Sequence, residues 1–505
     1  MTYLAAGAGA LGAGLLLLSR SRAPLLAGFA LLALAEGALL VGGSVGRVLA
    51  TAVGSPAALA TGLVGLAVLA GAAALLVRHP VAVAPLALVA APLRPPLEFG
   101  GGGFPVAIVT SGKLGRLLPL YVVLAAAVVA LVWRTLRGER VRALPRRLAV
   151  PATAFLALAI VSLLWSADPV AGTSQLAFFW LPFAALLGTL ARILVDDPRL
   201  PRLLALALVV PALIFAAVGV GQAAAGKIFF SSPDLAAGNA YGSLFRVTSL
   251  FDDPSHYGRH LVLAIGVILA ALWLGRARLG PGLATIAVLA AGLWFSYSQS
   301  SAVSLVAVAL AVAFAAGNRR ARRLAVAATA VFAVAGAVLL STQLAGESER
   351  QVTSERSRLV EDSARVYLSH PVLGVGLAGQ PLASHRESAD RGALRRSASH
   401  TTPLTVAAEL GTLGLLAYIA LLVGTVSVLA SARRRDPPLA LGLAAVLLAL
   451  FVHSLFYDGF FDNPITWGVL AVGAAVASAA PVGRREQAVS PAPTGAAGPA
   501  EPVAR

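Results

Sequence analysis

Long runs of apolar residues, separated by short polar connections, make up most of the chain. The runs hold about 20 residues each, which is the length that an α-helix needs to cross a hydrocarbon core of ~30 Å. Backbone groups inside lipid must pair within the protein, and helices meet this demand within one segment. The pattern therefore predicts an all-α fold, a polytopic transmembrane helical bundle of about 14 spans, give or take two, with a partly helical external loop.

The shortest candidate span begins at Pro80. The first run starts at Tyr3 without a preceding basic segment, so we expect a membrane segment there and not a cleaved signal peptide. The estimate of about 14 spans comes from fifteen candidate segments, of which 80–92 is the weakest. They are 3–18, 24–42, 56–77, 80–92, 118–134, 148–165, 175–195, 203–222, 260–275, 281–297, 300–317, 324–341, 402–430, 439–456 and 464–481.

Charged residues lie mostly in the connections. The 505 residues are 58% hydrophobic and 12% charged, with a mean hydropathy of +0.85, which excludes a soluble globular protein. The net charge of +17 would suit nucleic acid, but the arginines form short clusters between apolar runs, such as 134–147, 319–323 and 433–435. This is the positive-inside pattern of cytoplasmic connections, so we expect no nucleic-acid partner. The absence of cysteine excludes disulfides and thiolate chemistry.

With the arginine clusters inside, three longer connections fall outside the membrane, at 93–117, 223–259 and 342–401. We expect residues 1–480 to form one transmembrane domain that includes the external loop 342–401. Residues 481–505 are rich in proline, alanine and glycine without periodicity, and they predict a disordered cytoplasmic tail.

The external loop 342–401 contains one amphipathic pattern. Val352, Leu359 and Val366 are spaced seven apart, with charged residues between them. The spacing predicts a helix over 349–370 that lies at the membrane surface. A solvated helix with no role beyond structure is the alternative.

Polar groups at membrane depth are rare. Glu36 lies near the middle of one predicted span and Glu409 about two turns into another. Ion-coupled transporters carry ionisable residues inside their helices, along a pathway. Here the titratable groups collect at the external ends of the spans, which favours chemistry or binding at the outer interface.

Four external segments concentrate these polar groups, at 243–260, 296–305, 369–380 and 395–416. The first reads "SLFRVTSLFDDPSHYGRH", in which the "DDP" turn is also a good helix N-cap and Arg259 and His260 are also plausible interfacial anchors. In the third, Gly374 and Gly376 permit a close approach of the backbone to another group.

Three stretches in these segments carry a resemblance. "RVTSLFDDPSHYGRHLVLAI" (246–265), "HPVLGVGL" (370–377) and "SHTTPLTVAAELGTLGLLAYIALLV" (399–423), in this order, resemble the O-antigen ligase and polymerase family, over a layout of residues 150–480. The family often has Ser-Arg where this chain has Ser298-Gln299. It has asparagine after the histidine where this chain has Thr401.

The resemblance implies a bacterial, multi-pass enzyme of the cytoplasmic (inner) membrane, a metal-independent glycosyltransferase of the GT-C type without a cofactor. Its donor would be a glycan on undecaprenyl diphosphate, and its acceptor a glycan, lipid or protein at the outer face. By position, His400 and Arg246 would be the catalytic residues. On chemical grounds Arg246 would bind the diphosphate, with Arg259 and Arg396 as helpers. The chemistry agrees, because guanidinium binds phosphate bidentately and neutral histidine accepts a proton from a hydroxyl.

Other functions stay open at this stage. The protein could be a transporter or flippase of lipid-linked sugars, or a non-catalytic membrane scaffold. Within the transferases, a ligase, a glycan polymerase and a peptidoglycan polymerase share this layout. The scarcity of charge at membrane depth argues against transport, and the external polar segments argue against a scaffold.

The predicted topology can be tested by cysteine labelling. His385→Cys introduces a single thiol into the loop 342–401 of a chain that has no other cysteine. We expect a membrane-impermeant maleimide to label it in intact cells, because the positive-inside rule places this loop outside. Arg137→Cys, in an arginine cluster, serves as the matched control and should react only after permeabilisation. Labelling of residue 385 only after permeabilisation would reverse the topology.

Overall fold

The structure is a computed structural model of the whole chain. It describes residues 2–42, 56–95, 98–99, 106–107, 117–194, 196–230, 233–241, 244–316, 356–387, 399 and 401–479, and a few positions between 319 and 330. Most of the predicted span 324–341, the site candidates Arg396 and His400, and the predicted tail 481–505 lie outside the described residues.

Nearly all elements are helices, joined by one short 3₁₀ segment at Pro80–Ala82, another at Ser162–Trp165 and a π segment at Leu176–Trp180. A two-residue ladder pairs β1 (Glu98–Phe99) with β2 (Val106–Ala107) in antiparallel register. The α-helices are α1 (Thr2–Leu18), α2 (Arg22–Gly42), α3 (Pro56–Arg78), α4 (Val83–Ala90), α5 (Leu118–Leu136), α6 (Arg146–Val161), α7 (Pro169–Gln175), α8 (Leu181–Ile193), α9 (Leu200–Ala225), α10 (Pro233–Tyr241), α11 (Pro254–Trp273), α12 (Leu279–Ser296), α13 (Gln299–Ala316), α14 (Arg356–Ser369), α15 (Gln380–Glu387), α16 (Thr402–Arg433), α17 (Pro437–Ser454) and α18 (Pro464–Ser478).

Among the described residues, eleven helices are long and apolar enough to cross a membrane. Three apolar helices are shorter, at Thr2–Leu18, Pro80–Ala90 and Pro464–Ser478. These helices coincide with the predicted spans, apart from 324–341. The prediction of an all-α polytopic bundle is confirmed.

Two helix groups form the part of the bundle that carries the three stretches with the family resemblance. Helix α11 packs against α9, α12, α13 and α17, while α16 packs against α6, α14, α17 and α18. Since α17 contacts both α11 and α16, it joins the two groups. The connections at one end of these helices therefore meet, and this end is the predicted external one.

Helix α11 begins six residues earlier than the predicted span 260–275, which was wrong at this boundary. The Asp253 carboxylate accepts the backbone N–H of Ser255 at 2.6 Å, and Pro254 occupies the first helical position. A carboxylate cap followed by proline is a strong start signal. The "DDP" turn is thus a helix N-cap, and Arg259 lies inside the helix.

Helix α16 is interrupted at Gly411, although the sequence predicts one continuous span over 402–430. Gly411 has φ 65° and ψ −165°, far from helical values. The segment 371–377 pairs with the backbone groups freed by the break. Thr412 N–H donates to the Pro371 carbonyl at 2.8 Å, and Gly376 N–H donates to the Glu409 carbonyl at 2.8 Å. The broken helix keeps its backbone satisfied in this way.

The glycines of "HPVLGVGL" serve this close backbone approach, as their spacing predicts. Gly374 and Gly376 have φ of 65° and 81°. A Cβ at Gly374 would overlap backbone atoms of Glu409, and one at Gly376 would overlap the backbone of Ser166. The motifs "HPVLGVGL" and "ELGTLG" are therefore two halves of one packing unit.

The amphipathic helix predicted over 349–370 is confirmed over the described part, Arg356–Ser369, which is α14. Val366 is fully buried in a small cluster with Val375, Ala383 and Ala408. The apolar face of α14 therefore packs onto the segment 371–377 and α16, and so ties the external loop to the bundle.

We expect Gly374→Ala to destabilise the protein strongly. An alanine with positive φ costs about 1–3 kcal/mol, and its methyl group would also displace the α16 backbone at Glu409. Thermal unfolding of the purified protein in detergent measures the effect. Gly221→Ala, on α9, is the control because a Cβ there meets no atom within 4 Å. Equal melting temperatures for the two variants would contradict the packing role of Gly374.

Candidate functional site

Arg259 lies in the second turn of α11 at the predicted external end. Its buried Nε has no hydrogen-bond partner. The groups whose charges act on it are Tyr457, Arg94, Asp253 and Asp252. Arg259 therefore has hydrogen-bonding capacity to spare in an environment of mixed charge.

Arg94 is a second cation at this place, and no sequence pattern indicates its role. It lies four residues after α4, is half-buried, and acts electrostatically on Arg259, Asp252 and Asp462. The surrounding "PLRPPL" matches no motif, and its distance in sequence from α11 hides the electrostatic interaction. Two neighbouring guanidinium groups repel each other, so an anion between them would be favoured.

Asp252 is held by His256 on the next turn, with 3.3 Å between Oδ1 and Nδ1. Burial acts to raise the pKa of Asp252, but the hydrogen bond and charge of His256, with help from Arg94, lower it below its usual value. The His256 ring in turn meets the Tyr457 ring edge-on at 5.0 Å. Asp252 is thus an anion engaged with His256, and it leaves the Arg259 Nε unpaired.

Arg246 is fixed chiefly by its backbone. Its N–H donates to Asn239 Oδ1 and its carbonyl accepts from Asn239 Nδ2, both at 2.9 Å. The side-chain Nε donates to the Ser296 carbonyl at the end of α12, at 3.4 Å. Arg246 is half-buried. Its contact with the last residue of α12 places it at the same end of the bundle as Arg259.

The residues after Arg246 are shaped by Gln222 on α9. Gln222 Oε1 accepts the N–H groups of Thr248 and Ser249 at 3.3 and 2.7 Å, and Gln222 Nε2 donates to the Ser249 carbonyl at 2.8 Å. Thr248 and Ser249 are fully buried. The "TS" of this motif therefore builds the loop that presents Arg246.

A buried hydroxyl cluster joins α13 to α17. Ser300 Oγ lies 3.2 Å from His453 Nε2, and Ser298 Oγ lies 3.2 Å from Ser300 Oγ and 2.9 Å from Ser301 Oγ. These contacts supply the context for His453 that the sequence alone lacks. Gln299, the position at which the family often has arginine, is exposed.

His400 itself lies outside the described residues, but both of its neighbours are described. Ser399 Oγ lies 3.1 Å from Thr405 Oγ1 and donates to the Thr401 carbonyl at 2.9 Å. The Thr401 N–H donates to Ser399 Oγ at 3.2 Å. The chain on either side of His400 is thus held against the first turn of α16.

Asp458, in the short connection between α17 and α18, was missed by the sequence analysis. Its Oδ1 accepts from Thr402 Oγ1 and from the Gly459 N–H, both at 2.9 Å, and its Oδ2 accepts from Thr405 Oγ1 at 3.3 Å. Burial raises the pKa of Asp458 despite these hydrogen bonds. A carboxylate therefore lies at the start of α16, close to the neighbours of His400.

Asp462 is a second half-buried carboxyl group in this connection. Burial, followed by the charge of Asp458, raises its pKa to about 7, while Gln175 and Arg94 act in the opposite direction. Gln175 Nε2 lies 3.4 Å from Asp462 Oδ2. The signal in the sequence was "FYDGFFDN", two acids within an apolar stretch, as expected for titratable groups at functional sites.

The described residues therefore bring Arg94 and Arg259 into one electrostatic group with Asp252 and Asp462, and place Arg246 at the same end. Arg396, predicted to bind diphosphate, lies outside them. No group of three or more His, Asp or Glu side chains in the described part is arranged to hold a metal ion. The arrangement suits anion binding by arginine, beside one carboxyl group, Asp462, whose pKa of about 7 allows proton exchange near neutral pH.

Comparison with known families gives one match. Residues 284–419 match the model of the family described as O-Antigen ligase. The resemblance to the O-antigen ligase and polymerase family is confirmed, and the match supports glycosyl transfer in O-antigen assembly. The matched region runs from α12 into α16, and it includes "HPVLGVGL", His400 and "ELGTLG". The comparison with curated proteins finds no match.

The raised pKa of Asp462 predicts a pH-dependent stability. Between pH 3.8, the ordinary pKa of this group, and about pH 7, the folded protein binds more protons than the unfolded chain. The contribution of Asp462 to the free energy of unfolding therefore falls as the pH rises through that interval, and it is constant above it. Asp462→Asn removes the cost of charging, while its amide oxygen still accepts from Gln175. We expect its advantage in melting temperature over the wild type to grow through the same interval.

Asp168→Asn is the matched control, because it exchanges one helix-capping residue for another at the start of α7. Melting temperatures of both variants and the wild type are measured in detergent across the pH range. An advantage of Asp462→Asn that is the same at every pH would contradict a charging cost at Asp462.

Proposed function

We propose that this protein, a relative of the O-antigen ligases, transfers a glycan from a polyprenyl-diphosphate carrier to an acceptor at the outer face of the cytoplasmic membrane. The observation that carries the proposal is the pair Arg94 and Arg259, whose charges act on each other at the predicted external end. Two cations beside each other at a membrane surface suit a lipid whose head group carries two phosphates.

The diphosphate is the leaving group, and the arginines stabilise it. The unpartnered Nε of Arg259 offers a donor that no described group uses. Guanidinium is permanently charged and matches phosphate oxygens with two parallel N–H groups. Arg94 adds charge from the α4–α5 connection, and Arg246 adds charge from the loop before α11. In this proposal arginine, and not a metal ion, neutralises the charge that develops as the glycosyl bond breaks.

The acceptor needs a base, and we assign this role to His400. The acceptor hydroxyl oxygen attacks the anomeric carbon, the bond from that carbon to the diphosphate oxygen breaks, and the hydroxyl proton passes to His400. The contacts of Ser399 and Thr401 support the assignment, because they anchor the chain on both sides of His400. Asp458 accepts from Thr402 and Thr405, in the turn that follows His400 in sequence, and so stays in place at the start of α16.

Transport of lipid-linked sugars is the alternative, and the distribution of charge favours transfer over it. A transporter needs polar groups along a pathway through the bundle. Here the arginines and carboxyl groups described above lie together at one end of the helices. Ligase and polymerase activities use the same donor chemistry, and they differ in the acceptor.

We expect the arginines and the histidine to give different kinetic defects. With purified protein, a polyprenyl-diphosphate oligosaccharide and an acceptor, Arg259→Ala and Arg246→Ala should weaken donor binding, and lysine should rescue only partly because it lacks the planar fork. His400→Ala should lower turnover by about 10²–10⁴-fold while donor binding stays near that of the wild type. Assays with and without EDTA test the absence of a metal ion from the step.

Arg78→Ala is the matched control, since Arg78 is an exposed arginine at the end of α3. Melting temperatures of all variants separate lost folding from lost chemistry. A folded His400→Ala protein with wild-type turnover would remove His400 from the mechanism. Translocation of the donor without transfer to any acceptor would favour the transporter.

A further inference from the structure

A large apolar cavity lies between α4, α8, α9, α11, α17 and α18. Its volume is about 770 Å³. Most of its wall consists of aliphatic side chains, among them Ala87, Leu190, Val267, Leu443 and Val469. Water in such a space would lack polar partners, and an empty space would leave its lining without contacts on one side. An apolar molecule in the cavity would need no polar partners and would contact the aliphatic lining.

The two ends of the cavity differ in character. One end is formed by Pro464 and Ile465, the first turn of α18, directly after the carboxyl group of Asp462. The other end is lined by arginines. Arg276 follows the C-terminal end of α11, whose N-terminal end holds Arg259. The arginine end of the cavity is therefore on the membrane face opposite the candidate site.

Three arginines line that end, and two of them are available. Arg202 and Arg276 are exposed, and their guanidinium groups form no hydrogen bond or ion pair with the residues that the structure describes. Arg435 donates to the carbonyls of Val476 and Ala477 at the end of α18. The cavity also has one acidic residue in its lining, Asp436, whose carboxylate accepts the Leu439 N–H at 3.0 Å as the cap of α17.

We propose that the cavity holds an acyl chain of an anionic phospholipid, whose phosphate is bound by Arg202 and Arg276. A basic rim on an apolar space between membrane helices matches a lipid with an anionic head group. A polyprenyl-diphosphate donor would place its head group at the opposite face, beside Arg94 and Arg259. The charge at the rim therefore favours a phospholipid of the other leaflet, and this inference does not depend on the proposed glycosyl transfer.

Native mass spectrometry of the purified, delipidated protein tests the head-group part of the proposal. The protein in detergent is titrated with phosphatidylglycerol and with phosphatidylcholine of the same acyl chains. We expect one phosphatidylglycerol to bind in preference to phosphatidylcholine. Arg202→Gln and Arg276→Gln should each weaken phosphatidylglycerol binding about fivefold and leave phosphatidylcholine binding unchanged. Equal binding of the two lipids, unaffected by either variant, would overturn the head-group assignment.

Two glycines allow the cavity itself to be filled. Gly442 on α17 and Gly468 on α18 both line it, and a Cβ at either meets no atom within 4 Å. Gly442→Leu and Gly468→Leu should therefore fold, occupy the space and abolish phosphatidylglycerol binding. Gly65→Leu, on the exposed face of α3, is the matched control, because its Cβ is also unobstructed and it does not line the cavity.

Two outcomes of the filling experiment count against the proposal. Phosphatidylglycerol binding that survives in folded Gly442→Leu and Gly468→Leu proteins would place the lipid elsewhere. Displacement of phosphatidylglycerol from the wild type by a polyprenyl phosphate that itself fails to bind Gly442→Leu would identify the cavity as a site for the donor's tail. Binding lost in both cavity variants and retained in Gly65→Leu, without competition by polyprenyl phosphate, supports the phospholipid.

Discussion

The backbone pairing between the segment 371–377 and the break in α16 is the interaction on which the predicted external end depends. A membrane helix that leaves its helical path at Gly411 exposes carbonyl and N–H groups that lipid cannot satisfy. The N–H of Gly376 and the carbonyl of Pro371 take these groups up. Because the pairing requires positive φ on both sides, glycine occurs at 374, 376 and 411.

This pairing also sets the position of the residues assigned to chemistry. It fixes the first turns of α16, where Thr402 and Thr405 bind Asp458, and it brings α14 and α15 of the external loop down onto the bundle. Gln380 on α15 then accepts the Ser399 N–H at 3.2 Å. The neighbours of His400 are thus held by contacts to α15 and to α16. A substitution at Gly374, Gly376 or Gly411 would therefore disturb the support of His400, the candidate base, although none of these glycines is adjacent to it in sequence.

The sequence predicts the helices well because their length and apolarity have one physical cause, the thickness of the membrane. It also predicts the need for glycine at 374 and 376. It does not predict the break at Gly411, since a single glycine in an apolar run looks like any other until its partner segment is known. The sequence also does not predict the roles of Arg94 and Asp462, for a related reason. The partners of Arg94, and Gln175 beside Asp462, lie far away in sequence, and neither Arg94 nor Asp462 belongs to the stretches that resemble a known family.

Arg94 links the cationic and the acidic parts of the site. Its charge favours the ionised form of Asp462, whereas burial and Asp458 favour the protonated form. In the proposed reaction a diphosphate beside Arg94 would offset that positive charge, and the balance at Asp462 would shift towards protonation. Binding and protonation would then support each other by the same free energy, since the coupling between two sites is reciprocal. The site thereby avoids a buried carboxylate next to the diphosphate at the moment when the donor is held.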